Sequence, residues 1–129
     1  MDFELEYRNL SSTANVAHIH FGQRGVNGGV MVWLCGGGGR PPCPNPPDGV
    51  GKVTGTIEAA HVVGIPGQGI LPGNFDQFLE AVQRGVAYVN VHTTTFAGGE
   101  IRGQIRPGRG DDDDDRPKRK AKGKSDLSF

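Results

Sequence analysis

The sequence predicts an all-β fold: an antiparallel β-sandwich or barrel carrying one short helix. Three observations carry that expectation. Gly and Pro together supply 31 residues (22 and 9) of 129, which favours turns and short strands over long helices. Polar and apolar residues alternate along several short runs, the period of a strand with one buried face. A single stretch, after Asn74, has the spacing of an amphipathic helix.

The elements follow in order. Residues 2–8 alternate, with Phe3, Leu5 and Tyr7 on one face and Glu4, Glu6 and Arg8 on the other. A polar turn over 9–15 leads to a strand at Val16–Phe21. After a turn around Asn27, Gly28 and Gly29, Val30–Leu34 is apolar throughout, as in a strand covered on both faces, so Trp33 reads as core beside Met31. Residues 36–51 are a Gly/Pro loop. Lys52–Ile57 forms a further strand, with Val53, Gly55 and Ile57 on one side and Thr54 and Thr56 on the other. The pattern then decays into turns up to Gly73.

Asn74 can cap a helix, and Gln77 stands where the reciprocal partner of a capping box would. Phe75, Phe78, Leu79 and Val82 share one helical face and Gly85 stops the helix. This apolar stripe reads as core. Two strands finish the domain, Val86–His92 and Glu100–Ile105, joined by a loop short enough for a hairpin.

The domain therefore runs over 1–108, and one core is all that 129 residues can support beside a tail. Residues 109–129 are a polyampholyte expected to lack structure. Net charge is zero, and residues 1–110 hold eight acids and eight bases against six and six in the remainder. That balance gives no field to recruit nucleic acid. Arg109-Gly110-Asp111 and the Lys/Arg run after Arg116 read as parts of the solvated tail rather than as recognition motifs. No apolar run reaches a membrane span's length. The opening Met1-Asp2-Phe3-Glu4 is acidic and no signal peptide follows, which taken alone suits a cytoplasmic chain.

Cys35 and Cys43 are the two cysteines, and the glycines between them let the chain bend back. The spacing suits a disulfide-closed loop, with two free thiols as the alternative.

The chemistry-bearing residues recur at every second position in two separate segments. His18 and His20 share one strand face, and Tyr88, Asn90 and His92 share another. If the strands are neighbours, three imidazoles converge. On the last strand Glu100 and Arg102 share a face, where they read as a paired charge. Two readings stand. One is a polar cluster, structural or partner-binding, at one end of the sandwich, joining His18, His20, Tyr88, Asn90, His92, Thr93, Glu100 and Arg102. The other is a copper or zinc site of His18, His20 and His92, with Glu100 as ligand or orienting group and Asn90 behind it. His61, with no polar companion, reads as an ordinary surface or core histidine.

Four motifs, in order, resemble the CHRD (chordin-like) domain family. They are Ala17-His18-Ile19-His20-Phe21-Gly22, Gly28-Gly29-Val30, Tyr88-Val89-Asn90-Val91-His92-Thr93, and Gly99-Glu100-Ile101-Arg102-Gly103-Gln104. The resemblance covers about residues 2–106 and implies an extracellular or periplasmic β-sandwich. Family members usually begin with an additional strand upstream of Asp2–Asn9. This chain is therefore expected to lack an N-terminal strand, to leave a sheet edge unpaired, and to self-associate or accept a strand through it.

The expected function is a non-catalytic extracellular binding or structural module with a protein or matrix partner and no cofactor. The alternative is a copper- or zinc-binding domain. No nucleophile–base pair, phosphate loop or carboxylate dyad points to an enzyme.

Overall fold

The computed structural model describes residues 1–106 and 126–129. Its elements are β1 (Asp2–Arg8), β2 (Ala14–Phe21), β3 (Val30–Cys35), β4 (Val50–Thr56), α1 (Phe75–Gln83), β5 (Ala87–Thr93), β6 (Ile101–Gln104) and β7 (Asp126–Ser128). They form two sheets, ordered β4-β1-β7 and β3-β2-β5-β6. One buried apolar cluster draws on both sheets and on α1, so the fold is sandwich-like and not a closed barrel.

β1 is half-buried as its alternation requires, with Phe3, Leu5 and Tyr7 in the core. Opposite them on β4 stand Gly55, Val53 and Gly51. A Cβ on Gly51 would lie 2.2 Å from the Tyr7 ring and one on Gly55 2.8 Å from the Phe3 ring. These glycines give the aromatic rings their space. The Tyr7 hydroxyl reaches on to donate to the Pro44 carbonyl at 2.6 Å.

β3 departs from simple alternation. Its register with β2 shifts twice, so that Ala17 faces Cys35, His18 faces Trp33, Ile19 faces Val32 and His20 faces Val30. Each bulge adds one residue on β3. Met31, Val32, Leu34 and Cys35 all enter the core, while Trp33 turns to the opposite face beside His18. The expectation that Trp33 packs with Met31 is corrected, because the bulges break the two-residue period that put them together.

Cys35 and Cys43 form a disulfide with Cα atoms 5.0 Å apart. Asn45 fastens the same loop to β2, accepting from the Ala14 N–H at 2.7 Å and donating to the Ala14 carbonyl at 3.0 Å.

The Asn74 side chain caps α1 by accepting from the Gln77 N–H at 3.0 Å. The capping box is incomplete, because the Gln77 side chain accepts instead from the Leu71 N–H at 2.7 Å. Phe78, Ala81 and Val82 are buried against the sheets, and Gly85 ends the helix in the left-handed region at φ 75°.

The second edge of β1 is occupied. β7 pairs with it in parallel, Asp2 to Asp126 through Glu4 to Ser128. The Glu6 N–H donates to the Phe129 carbonyl at 2.8 Å and the Phe129 N–H to the Glu4 carbonyl at 2.9 Å. This corrects two expectations: the edge beside β1 is filled by the chain's own last residues, and the segment 109–129 is not without structure at its end. Backbone pairing along an open edge supplies the order that composition did not reveal. Arg109-Gly110-Asp111 and the lysine- and arginine-rich run lie outside the described residues. Among the described residues, no helix is long and apolar enough to cross a membrane.

Candidate functional site: a roofed histidine cluster

β2 and β5 are antiparallel neighbours, with His20 opposite Tyr88, His18 opposite Asn90 and Val16 opposite His92. Ala17, Ile19, Val89 and Val91 face the core. By alternation, His18, His20, Tyr88, Asn90 and His92 stand together on the outer face of the four-stranded sheet. The histidines therefore do not sit at one end of the sandwich, where the sequence reading put their network. They form an outer-face site, yet His18 is only 6% exposed and Tyr88 2%.

Glycine-rich loops roof it. From the loop after β2, the Gly28 carbonyl accepts from His20 Nδ1 at 2.9 Å and the Gly28 N–H donates to the Tyr88 hydroxyl at 3.0 Å. From the β5–β6 loop, the Ala97 carbonyl accepts from His92 Nδ1 at 2.8 Å, and Gly99 lies against Asn90. Gly37 and Gly38, within the disulfide loop, lie on the Trp33 ring. A Cβ on Gly28 would come within 1.6 Å of the Phe21 carbonyl oxygen. The roof comes this close only because side chains are missing there.

Beneath it the rings pack edge to face. The His18 ring centroid lies 4.7 Å from those of His20, His92 and Trp33. His20 stacks on Tyr88 at 4.7 Å, 4° from parallel. From the β6 side, the Arg102 guanidinium sits 3.4 Å from the Tyr88 ring centroid and donates to the Gln23 carbonyl and the Asn27 side chain.

The hydrogen bonds fix the tautomers. Because Nδ1 of His20 and of His92 each donates to a carbonyl, Nε2 is the lone-pair nitrogen in the neutral form of each ring. His18 Nδ1 lies 3.0 Å from His20 Nε2 and is the donor of that pair. His92 Nε2 is buried with no partner among the described residues, as is Asn90 Oδ1. Burial, then the neighbouring His20 and His92, push His18 down to about 4. Burial also lowers His20, against the opposing pull of its bond to Gly28, with His92 and Arg102 adding to the fall. Both rings are neutral near pH 7.

Thr93 and Glu100 belong to a separate group. Glu100 accepts from the Thr93 hydroxyl at 2.8 Å and from the N–H and hydroxyl of Ser11, both at 2.8 Å. Desolvation, the largest single influence, raises its pKa, but the three donors together outweigh it and hold the carboxyl below the usual carboxylate range. The expected Glu100–Arg102 pair is thus absent, and Glu100 is not a companion of the histidines. Each charge found a nearer partner across the fold, Ser11 and Thr93 for one and Tyr88 with the roof for the other. From the sequence, Gly28 is legible as a turn residue and Trp33 as core, but not their place at the cluster, nor Ser11 as the partner of Glu100. The paired glycines at 28 and 29 were the one available signal of that place. His61 lies elsewhere, its Nδ1 accepting from the Glu58 N–H at 2.9 Å.

Of the described residues, His18, His20 and His92 are the group close enough to share one ion, each offering a ring nitrogen within 4.8 Å of the other two. This geometry joins a comparison made on the whole sequence: the profile of the CHRD domain family matches residues 1–105. The chain belongs to the CHRD domain family. No curated protein matches it, and no solved structure does. The matched span takes in the disulfide, the roof loops and every residue of the cluster. The CHRD fold is thus a sandwich with a polar, loop-covered outer face in this chain.

Proposed function

We propose that this CHRD domain is a non-catalytic binding module that works outside the cytoplasm and offers the open edge of β6 to a protein partner. The observation that carries the reading is the state of the sheet edges. β1 is closed by β7. On β3, the Met31 carbonyl accepts from the Val63 N–H and the Trp33 carbonyl from Arg40. β4 carries Lys52, a residue that discourages strand addition. β6 ends its sheet with β5 as its one strand neighbour among the described residues.

On β6 itself Ile101 is 41% exposed, and in the loop that leads into it Phe96 is 50% exposed. An extended segment that added to β6 would gain backbone hydrogen bonds and cover both side chains. Family membership supports a binding role over catalysis, and the disulfide supports an oxidising compartment.

The test places a photoreactive side chain at Ile101, with Lys52 on β4 as the control position. The full chain is then irradiated in the secreted fraction of its producing cell. A discrete adduct from position 101, weak or missing from position 52 and lost on adding Phe96→Asp, is expected. Equal labelling at the two positions, or none at 101, would overturn the reading.

A further inference from the structure

We propose that His18, His20 and His92 form a binding site for one divalent transition-metal ion, copper(II) ahead of zinc(II). Two of the three rings already hold the orientation that metal-ligating histidines need. His20 and His92 are each oriented by an Nδ1–H bond to a backbone carbonyl, Gly28 and Ala97, which turns Nε2 inward as a lone pair. Among the described residues, His92 Nε2 is buried and finds no donor. A buried acceptor without a partner is costly and uncommon, and an ion supplies what it lacks.

The spacing is right for this. The three nitrogens lie within 4.8 Å of one another, and the His18–His20 pair is at 3.0 Å. Metal–nitrogen bonds of about 2.0–2.1 Å need ligand nitrogens roughly 3.3–3.6 Å apart. One edge of the triangle opens slightly, and the other two reach that length from separations of no more than 4.8 Å. Without the ion, His18 donates its Nδ1 proton to His20. With it, that proton moves to His18 Nε2 and Nδ1 becomes the third lone pair. Both states of His18 are neutral, so the exchange is a change of tautomer with no net proton gained or lost.

The donor set decides the ion. Three imidazoles with no thiolate suit copper and zinc, whereas magnesium and calcium require oxygens. Glu100, the nearest carboxylate of the sequence motif, is committed to Ser11 and Thr93 and supplies none. For a given nitrogen site, copper(II) binds ahead of zinc(II). Asn90 Oδ1, the second orphan of this face, can accept from a water that completes the coordination.

The experiment uses the full chain, untagged and stripped with chelator, titrated with copper(II) or zinc(II) in a non-coordinating buffer. One equivalent of copper(II) should bind, its electron paramagnetic resonance spectrum split by imidazole nitrogens. His20→Gln and His92→Gln should each weaken it by more than the ~10–100-fold that loss of an outer-shell hydrogen bond costs. His61→Gln should leave it unchanged. If either cluster variant fails to fold, the wild-type chain decides alone: on adding zinc(II), the Nε2 resonances of His20 and His92 should shift and those of His61 should not. Absence of stoichiometric uptake overturns the proposal. So does uptake that survives both folded cluster variants, or resonance shifts confined to His61 or to the aspartate run at 111–115.

Discussion

His18 lies between two other imidazoles and under a loop, and its pKa of about 4 follows from that place. In the unfolded chain the ring titrates near 6.5. The metal-free folded state therefore binds fewer protons than the unfolded one between these values. Its stability contribution is complete above about pH 6.5 and is lost as pH falls towards 4. Discounted for residual solvent contact, the loss is about 1–2 kcal/mol. Urea unfolding of the chelator-treated protein at a series of pH values should show that decline, and His18→Gln should flatten it. The convergence of these rings was legible in the sequence, because two-residue spacing puts side chains on one face of any strand. Their burial was not, since the cover comes from Gly28, Ala97 and Gly99, residues whose contribution is backbone. Nor was the fate of Glu100, whose partner Ser11 is 89 positions away.

At the scale of the element, α1 shows what local signals can and cannot specify. Asn74 caps it as its side chain dictates, and Asn74→Ala should cost about 1 kcal/mol in urea unfolding with no change in the slope of the transition. Gln77 was free to close the capping box but turned to the Leu71 backbone, a choice set by the incoming loop. β3 teaches the same lesson more sharply. An uninterrupted apolar run correctly announces a strand covered on both faces. It holds no record of the two bulges that send Trp33 away from Met31, because those follow from pairing with β2. Strand existence was thus readable everywhere from β1 to β6, with ends displaced by a residue or two. β7 was unreadable, since its order comes from the vacant edge of β1.

For the whole molecule, the disulfide joins the end of β3 to the loop that Asn45 and Tyr7 hold against β1 and β2. Closing so short a loop constrains the unfolded chain by roughly 2–3 kcal/mol. The double variant Cys35→Ala/Cys43→Ala should lose about that much in urea unfolding, and reduction of the wild-type chain should reproduce the loss. A larger deficit in the double variant alone would mean that the buried sulfurs matter chiefly as packing.

The parallel pairing of β1 with β7 has a mechanical consequence. Met1 leaves the start of one strand and Phe129 ends the other, and the two strands point the same way. A pull applied between the termini drags these neighbours past each other along their length. Their hydrogen bonds, including those of Glu6 and Phe129, then carry the load in shear and must fail together. Peeling them one at a time would require a pull across the strands, and this topology does not transmit one from its ends.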